Sequence, residues 1–439
     1  MVLYSTCTNF VTKPTLIMML KDLDQLYRIF CKHPTVTTDS RDCPQGSIFF
    51  ALKGDTFNGN HYAQTALEKG CSYAVVDEDT GSADERIIMV EDVLATLQGL
   101  ALLHRRTLGT KIIGITGTNG KTTTKELIAT VLGKRYNVLY TQGNYNNHIG
   151  VPKTLLRLTK EHDIAVVEMG ANHPGEIRTL AEIAEPDYGL ITNVGKAHLE
   201  GFGSFEGVIR TKGELYDWLR KSDGEAFINK NNVHLMGISH DLRLTPYGKE
   251  GKVLACDPYL RMIYEGDEIK TQLIGSYNLD NCLAAAAIGR KFGVTHSEIC
   301  AALAEYTPSN NRSQLLKTAT NTLIVDAYNA NPTSMMAALI NFRDTHMERK
   351  MAILGDMKEL GSVSQQEHQK VVDFLKEQSD VTVWLVGEEF GRTECTFRKF
   401  HNVEEVQETI ATEKPQGYCI LIKGSNSMKL WKLAEINRS

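Results

Sequence analysis

KIIGITGTNGKTTTKELIATVLGK, residues 111–134, is the stretch on which the reading of this chain turns. Its first six residues are largely apolar and β-branched, and Leu127, Ile128, Val131 and Leu132 recur at helical spacing, so the segment reads strand, glycine loop, helix. Gly114, Gly117 and Gly120 are expected to keep side chains out of the turn so that backbone N–H groups close on phosphate oxygens. The helix N-terminus adds partial positive charge, Lys121 a cation and Thr122 a hydroxyl suited to Mg²⁺. The pattern is a variant P-loop, because Ile115 stands six residues before the lysine where glycine is usual. A lone glycine turn is commonly structural; the full GTNGKTT context points to a nucleotide.

A chain of 439 residues has room for about three domains, each with its own core. The net charge of −5 and the lack of a basic run argue against a nucleic-acid partner. Nine cysteines without a CxxC pair read as reduced thiols of a cytoplasmic protein. No apolar run is long enough to span a bilayer, and the opening residues lack a signal-peptide pattern. Helical periodicity first appears at residues 23–30, so residues 1–19 read as a disordered extension or a mis-assigned start, with Met18 or Met19 as initiator.

Residues 20–107 alternate strand (47–52), helix (61–69) and strand (73–76), a small α/β domain whose loops hold Ser40, Arg41, Lys53 and Gly54. Taken alone, these are ordinary turn residues. Residues 108–308 continue with strands at 137–141, 164–169, 188–193 and 226–229 and helices near 177–184 and 205–220. This is the pattern of a mainly parallel sheet covered on both faces. Its loops carry Asn147 in TQGNYNNHIG, Glu168 after AVVEM's valines and His198 in NVGKAHLEGFGS. Each has a plain structural reading, yet beside a phosphate loop they make a Mg²⁺ and γ-phosphate site. An alanine-rich helix follows, with Asn278 and Asn281 in its first turns as caps or contacts. After the loop TPSNNR, residues 309–439 form a second doubly wound unit with Asp326, Asn329 and Asn331 at a strand end.

The ordered set GTNGKTT, GNYNNHIGVPKTLLRL, VEMGANHPGEI, ITNVGKAHLEGFGS, TKGE, VDAYNANPTSM and LGDMKELG resembles the Mur ligase family from about residue 20 to the end. Within it, DAYNANP and GNYNNHIGVP are similar to the member that joins D-alanyl-D-alanine to UDP-N-acetylmuramoyl-tripeptide. The resemblance implies an α/β protein of three domains: a small N-terminal UDP-sugar domain, a central P-loop ATPase and a C-terminal Rossmann-like domain, acting as a monomer. It implies ATP and Mg²⁺, with Gly117, Thr118, Asn119, Gly120, Lys121, Thr122, Thr123, Asn281, Arg312, Asp326, Asn329 and Asn331 at the nucleotide. Thr122, Glu168, His198 and Lys212 (as a CO₂-derived carbamate) match the metal ligands, and Lys121, Lys212 and His198 the catalytic positions. Ser40, Arg41, Lys53, Gly54 and Asn147 match substrate contacts. Tyr277 and Asn426 depart from the family's usual His and Arg. Two rival classes are a related ligase, of the folylpolyglutamate-synthase or third-residue-adding kind, and a non-catalytic nucleotide-binding protein. DAYNANP and the N-terminal domain argue against the first, and the retained Lys121, Glu168, His198 and Lys212 against the second.

Overall fold

The computed structural model describes residues 13–308 and 314–436. Its contacts form two compact units: the chain up to Thr110 with 144–162 and 183–185, and the segments 111–143, 163–182 and 186–439.

In the first unit the opening helix, Lys13–Lys32, starts inside the stretch expected to be disordered, while residues 1–12 lie outside the described residues. Strands Val36–Thr37, Ile48–Phe50, Tyr73–Val76 and Ile87–Met89 lie side by side in that order, all parallel. The helix Val93–Leu108 is capped by Asp92, whose side chain accepts from Ala95 N, and stops at Gly109 in the left-handed region at φ 68°. Its buried positions Val93, Leu97, Leu100, Ala101 and His104 repeat at helical spacing. Polar groups of this helix explain why two sequence-distant segments join the unit. His104 Nε2 meets Leu158 O at 2.9 Å, and Gln98 Nε2 donates to His148 O at 3.0 Å. Arg105 Nε donates to Ala184 O at 3.1 Å.

The second unit holds a six-stranded sheet in the order Arg243–Tyr247, Glu225–Asn229, Tyr188–Ile191, Lys111–Thr116, Ile164–Glu168, Val138–Tyr140. Every pairing is parallel. All residues of Lys111–Thr116 after the lysine are buried, as a strand covered on both faces requires. This strand comes first in the sheet's chain order yet sits between Ile164–Glu168 and Tyr188–Ile191, so connections leave it in both directions. The carboxyl end of such a strand is the crevice where open α/β sheets bind ligands.

Strands Gly251–Cys256, Tyr259–Tyr264 and Asp267–Ile274 make a separate antiparallel sheet, and Leu260, Met262, Ile269 and Leu273 share a core with Leu283, Ile288, Ile299 and Leu303. A second six-stranded sheet runs Gln314–Lys317, Thr322–Asp326, Cys419–Lys423, Lys350–Gly355, Val381–Val386, Arg398–Phe400. It is parallel except for the first strand, an antiparallel edge the sequence did not reveal.

Candidate nucleotide and metal site

The loop after Lys111–Thr116 is held before any ligand arrives. Gly117 at φ 139° and Gly120 at φ 78° occupy backbone regions that side chains disfavour. A Cβ on Gly117 would stand 2.1 Å from Thr192 Oγ1, and one on Gly120 2.7 Å from Asn281 Oδ1. Gly114 has a different task from the one expected. It lies within the strand, where a Cβ would press on Pro186 Cβ at 3.1 Å and Met169 Cε at 3.2 Å, so it makes room for packing and leaves the turn alone.

Four hydrogen bonds from the neighbouring strand end clamp the loop. Asn193 O accepts from Thr118 N at 2.9 Å and Asn193 Oδ1 from Asn119 N at 3.0 Å. Asn119 O accepts from Thr192 Oγ1 at 2.7 Å and Asn193 Nδ2 at 3.0 Å. Thr192 and Asn193 were legible as part of ITNVGK, but only the strand order gives them this role. Lys121 Nζ arches back over the turn, donating to Gly117 O at 2.9 Å and Thr118 O at 3.1 Å. Thr123 follows in the first helical turn, partly exposed.

Thr122 Oγ1 donates to Glu168 Oε2 at 2.9 Å, bringing two hard oxygen donors to one point, a donor set suited to Mg²⁺. Lys125, absent from the expected site, has its Nζ 3.6 Å from the same Glu168 oxygen, with both side chains 1 % exposed. Its spacing of three after Thr122 puts both on one helix face, the signal that would have found it.

Lys121, His198 and Lys212 form a second group: the charges of both lysines act on His198, and that of Lys121 acts on Lys212. His198 adopts a left-handed φ of 49° ahead of the short helix Leu199–Phe202, and its Nδ1 pairs with the carboxylate of Glu359. Burial is the main cause that lowers its pKa; Glu359 opposes this, while Lys121 and Lys212 add to it. Lys212 sits on the buried face of Phe205–Lys221, its Nζ donating to Ala171 O at 3.3 Å and lying 5.1 Å from the Phe202 ring centroid. No carboxylate among the described residues pairs with it. Glu214, the obvious partner, instead accepts from Gly175 N at 2.8 Å and Arg178 N at 2.9 Å. Burial, and secondarily Lys121, bring the Lys212 pKa down to about 7.

The second sheet's loops meet this region. Asn331 Nδ2 donates to Asn119 Oδ1 at 2.7 Å, and Asn331 caps the helix Pro332–Arg343 through Ser334 N. Lys196 N donates to Thr333 Oγ1 at 3.3 Å, and Lys196 Nζ pairs with Glu367 at 3.3 Å. Asn281 is buried, bridging Thr124 Oγ1 at 3.0 Å and Asn278 Oδ1 at 2.8 Å, so it braces the loop from beneath. Asp326 receives Lys423 Nζ at 2.5 Å, whereas Asn329 is exposed and offers its carbonyl to the same ammonium at 3.3 Å. Arg312 lies outside the described residues. Tyr277 packs its ring against Gly275, and Asn426 opens the turn Asn426–Met428.

In the first unit, Ser40, Arg41, Lys53 and Gly54 follow the carboxyl ends of parallel strands. Arg41 grips Asp39 through Nε at 2.9 Å and Nη2 at 2.7 Å, and Ser40 O accepts from Lys69. Lys53 pairs with Asp77 at 3.1 Å and Glu78 at 3.2 Å, while Gly54 lies under the Phe57 ring. Asn147 Oδ1 accepts from Ile149 N at 3.1 Å and Gly150 N at 2.9 Å, the start of a helix, Gly150–Leu155, that the sequence reading passed over.

No helix among the described residues is long and apolar enough to cross a membrane. Three family profiles match: the Mur ligase family catalytic domain at residues 34–107, the Mur ligase middle domain at 115–289 and the Mur ligase glutamate ligase domain at 311–426. The UDP-N-acetylmuramoyl-tripeptide--D-alanyl-D-alanine ligase of Bacillus subtilis (strain 168) is 34% identical over 426 residues, 91% of this chain and 92% of the relative. The enzyme of the same name from Escherichia coli (strain K12) is 34% identical over 417 residues, 89% and 91% of the two. Among solved structures, MurF from Acinetobacter baumannii superposes with a TM-score of 0.83 at 29% identity, covering 95% of this chain and 98% of that one. MurF ligase from Thermotoga maritima in complex with ADP gives 0.82 at 26% identity, covering 92% and 97%. With its three-domain α/β fold and these matches along its length, the chain belongs to the Mur ligase family.

Proposed function

We propose that this chain uses ATP to activate the terminal carboxylate of UDP-N-acetylmuramoyl-tripeptide and joins it to D-alanyl-D-alanine, in cytoplasmic peptidoglycan precursor synthesis. The observation that carries the reading is the clamped glycine loop with Lys121 arched over it and Thr122 meeting Glu168 at 2.9 Å, in a chain 34% identical to a ligase of that name.

A carboxylate is a poor acceptor for an amine, so transfer of the γ-phosphoryl group to it, giving an acyl phosphate and ADP, creates a leaving group. The dipeptide amine then attacks the acyl carbon and phosphate departs. No side-chain nucleophile is needed. Lys121 moves its ammonium from the loop carbonyls onto phosphoryl oxygens, and the fixed loop supplies N–H groups without rearranging. Thr122 and Glu168, with His198 and Lys212, would hold a Mg²⁺, which would supply neutralisation of phosphate charge. Asn281 and Asn331 set the loop's position, and Asp326, Asn329 and Arg312 are assigned to the nucleotide.

Lys212 is assigned a carbamate, formed when its neutral amine adds CO₂ and releases a proton. A pKa near 7, set by burial and by the neighbouring charge of Lys121, makes that amine available. The new anion would reverse the sign of the site at Lys212. Ser40, Arg41, Lys53, Gly54 and Asn147 are assigned to the UDP-sugar substrate. Domain limits at 20–107, 108–308 and 309–439 and a monomeric state complete the proposal.

ADP release measured with each substrate omitted in turn tests the assignment. Release is expected only when the muramoyl tripeptide and D-alanyl-D-alanine are both present. Robust turnover with folate and glutamate, and none with the muramoyl substrates, overturns it.

A further inference from the structure

Away from the phosphate loop, the helix His296–Glu305 packs on the strand Asp267–Ile274. A reciprocal cap fixes its register: Thr295 Oγ1 accepts from Glu298 N, and Thr295 N donates to Glu298 Oε2 at 2.9 Å. That register puts His296 and Cys300 one turn apart on the same face, with Asp267 at the start of the neighbouring strand. His296 Nε2 lies 3.5 Å from Cys300 Sγ and 2.8 Å from Asp267 Oδ2. The three donor atoms all lie within 4.8 Å of one another.

The separation of sulfur and nitrogen has a chemical meaning. With Zn–S of about 2.3 Å, Zn–N of about 2.0–2.1 Å and tetrahedral angles, neighbouring S and N ligands stand about 3.5 Å apart. The other side of the ring is also arranged: Nδ1 is 3.3 Å from Glu265 Oε2, and the ring stacks on Tyr264 with centroids 5.3 Å apart and planes at 15°. A carboxylate behind a ligating imidazole fixes the ring's orientation and directs the lone pair of the other nitrogen to the metal. Here Nε2 faces a thiol and a second carboxylate, and with its proton displaced the three donors can share one cation.

We propose that Asp267, His296 and Cys300 bind a thiophilic divalent cation, Zn²⁺ by its ligand set, with Glu265 as the supporting carboxylate. A thiolate, an imidazole and a carboxylate suit Zn²⁺ and discriminate against Mg²⁺, which takes oxygen ligands. The Asp267 side chain is 70% exposed, so the ion enters from solvent and keeps a fourth position for water. Bound there, the metal ties the edge of the antiparallel sheet to the start of a helix. At that helix's far end Tyr306 Oη donates to Glu126 Oε2, 2.6 Å away on the phosphate-loop helix Lys121–Leu132. The site is thus a staple for the element that backs the loop, and none of its residues belongs to the nucleotide cluster.

The test is a Co²⁺ titration of the full chain after chelator treatment, followed by its near-ultraviolet thiolate-to-Co²⁺ charge-transfer band, which an oxygen-ligated Mg²⁺ site does not produce. One equivalent is expected to generate the band, and added Zn²⁺ to displace it. Cys300→Ser and Cys300→Ala should each abolish the band, and His296→Gln and Asp267→Ala should weaken Co²⁺ binding at least tenfold, with circular dichroism and ADP release unchanged. A wild-type chain without the band overturns the proposal. So does a band that survives both Cys300 variants, or one indifferent to His296→Gln and Asp267→Ala.

Discussion

Lys121 and Arg41 are both cations on loops that leave the carboxyl ends of parallel strands, yet their surroundings differ. Lys121 lies on carbonyls of a loop that Thr192 and Asn193 pin from the next strand. Arg41 has a side chain 88% exposed and, among the described residues, pairs with Asp39, two residues away. Lys53 is half exposed and pairs with Glu78 at the surface and with Asp77, whose side chain is buried. Charge that develops during phosphoryl transfer must find its partners already in place, because reorganising them would add to the barrier. Recognition of a nucleotide sugar has no such demand: an exposed ion pair can be exchanged for one with a ligand phosphate at little net cost. On the proposed assignment, the clamped loop is the place for chemistry and the exposed loops are the place for substrate capture.

Lys121→Ala should strike this contrast hardest. Turnover by ADP release is expected to fall about 10²–10³-fold or more, with the thermal midpoint within a few degrees of the parent. Near wild-type turnover at saturating ATP would mean that the clamped loop is not the phosphate site.

Lys212→Ala comes next, with turnover reduced about 100-fold and partly restored by added formate or acetate, which can place an anion in the vacated space. Full activity without added acid would remove the carbamate. The same residue gives a stability signature in CO₂-free buffer. Its folded pKa of about 7 lies below the unfolded value of 10.5, so the unfolded chain binds more protons between these limits and stability rises with pH across that window. Lys212→Met lacks the buried amine. It should be more stable than the parent at pH 7, by up to about 3–5 kcal/mol, with the gap closing towards pH 10.5. A gap that does not change with pH contradicts the assignment.

Gly117→Ala sharpens the geometric side. A Cβ 2.1 Å from Thr192 Oγ1, on a residue at φ 139°, forces the loop off its clamp. Weaker ATP binding by at least tenfold is expected in equilibrium dialysis. Gly114→Ala should instead lower the thermal midpoint and leave the KM for ATP unchanged, since its contacts are Pro186 and Met169.

Arg41→Ala should have the smallest effect, a roughly tenfold higher KM for the UDP-muramoyl substrate with kcat and the KM for ATP unchanged. A fall in kcat of similar size would place Arg41 in the chemistry and end the contrast.

The phosphate loop was legible because strand, glycine turn and helix are contiguous and each announces itself locally. The strand 111–116 was legible as it stands, but Gly114 inside it was also counted with the turn's glycines, because its packing against Pro186 and Met169 comes from distant segments. Lys125 escaped because a lysine's burial is decided by its neighbours, here Glu168 and Tyr140, which arrive from other strands. The helix His296–Glu305 carried its own Thr295 and Glu298 cap signal but lay beyond the alanine-rich run that drew the reading. Residues 144–162 and 183–185 join the first unit through side chains of Val93–Leu108, contacts of long sequence separation that no local pattern encodes. In the first unit Ser40, Arg41, Lys53 and Gly54 were legible as polar and glycine residues beside strands, but the pairing of Arg41 with Asp39 and of Lys53 with Asp77 and Glu78 depends on where side chains meet in the fold.

If a carboxylate is activated as an acyl phosphate at this loop, one of its oxygens leaves with the phosphate, and isotope transfer follows that oxygen. UDP-muramoyl-tripeptide labelled with ¹⁸O in its terminal carboxylate would be turned over with ATP and D-alanyl-D-alanine, and the released phosphate analysed by mass spectrometry. The account requires one ¹⁸O in each phosphate formed, and no labelled phosphate from Lys121→Ala beyond its residual turnover. Unlabelled phosphate released in step with ligated product would contradict it.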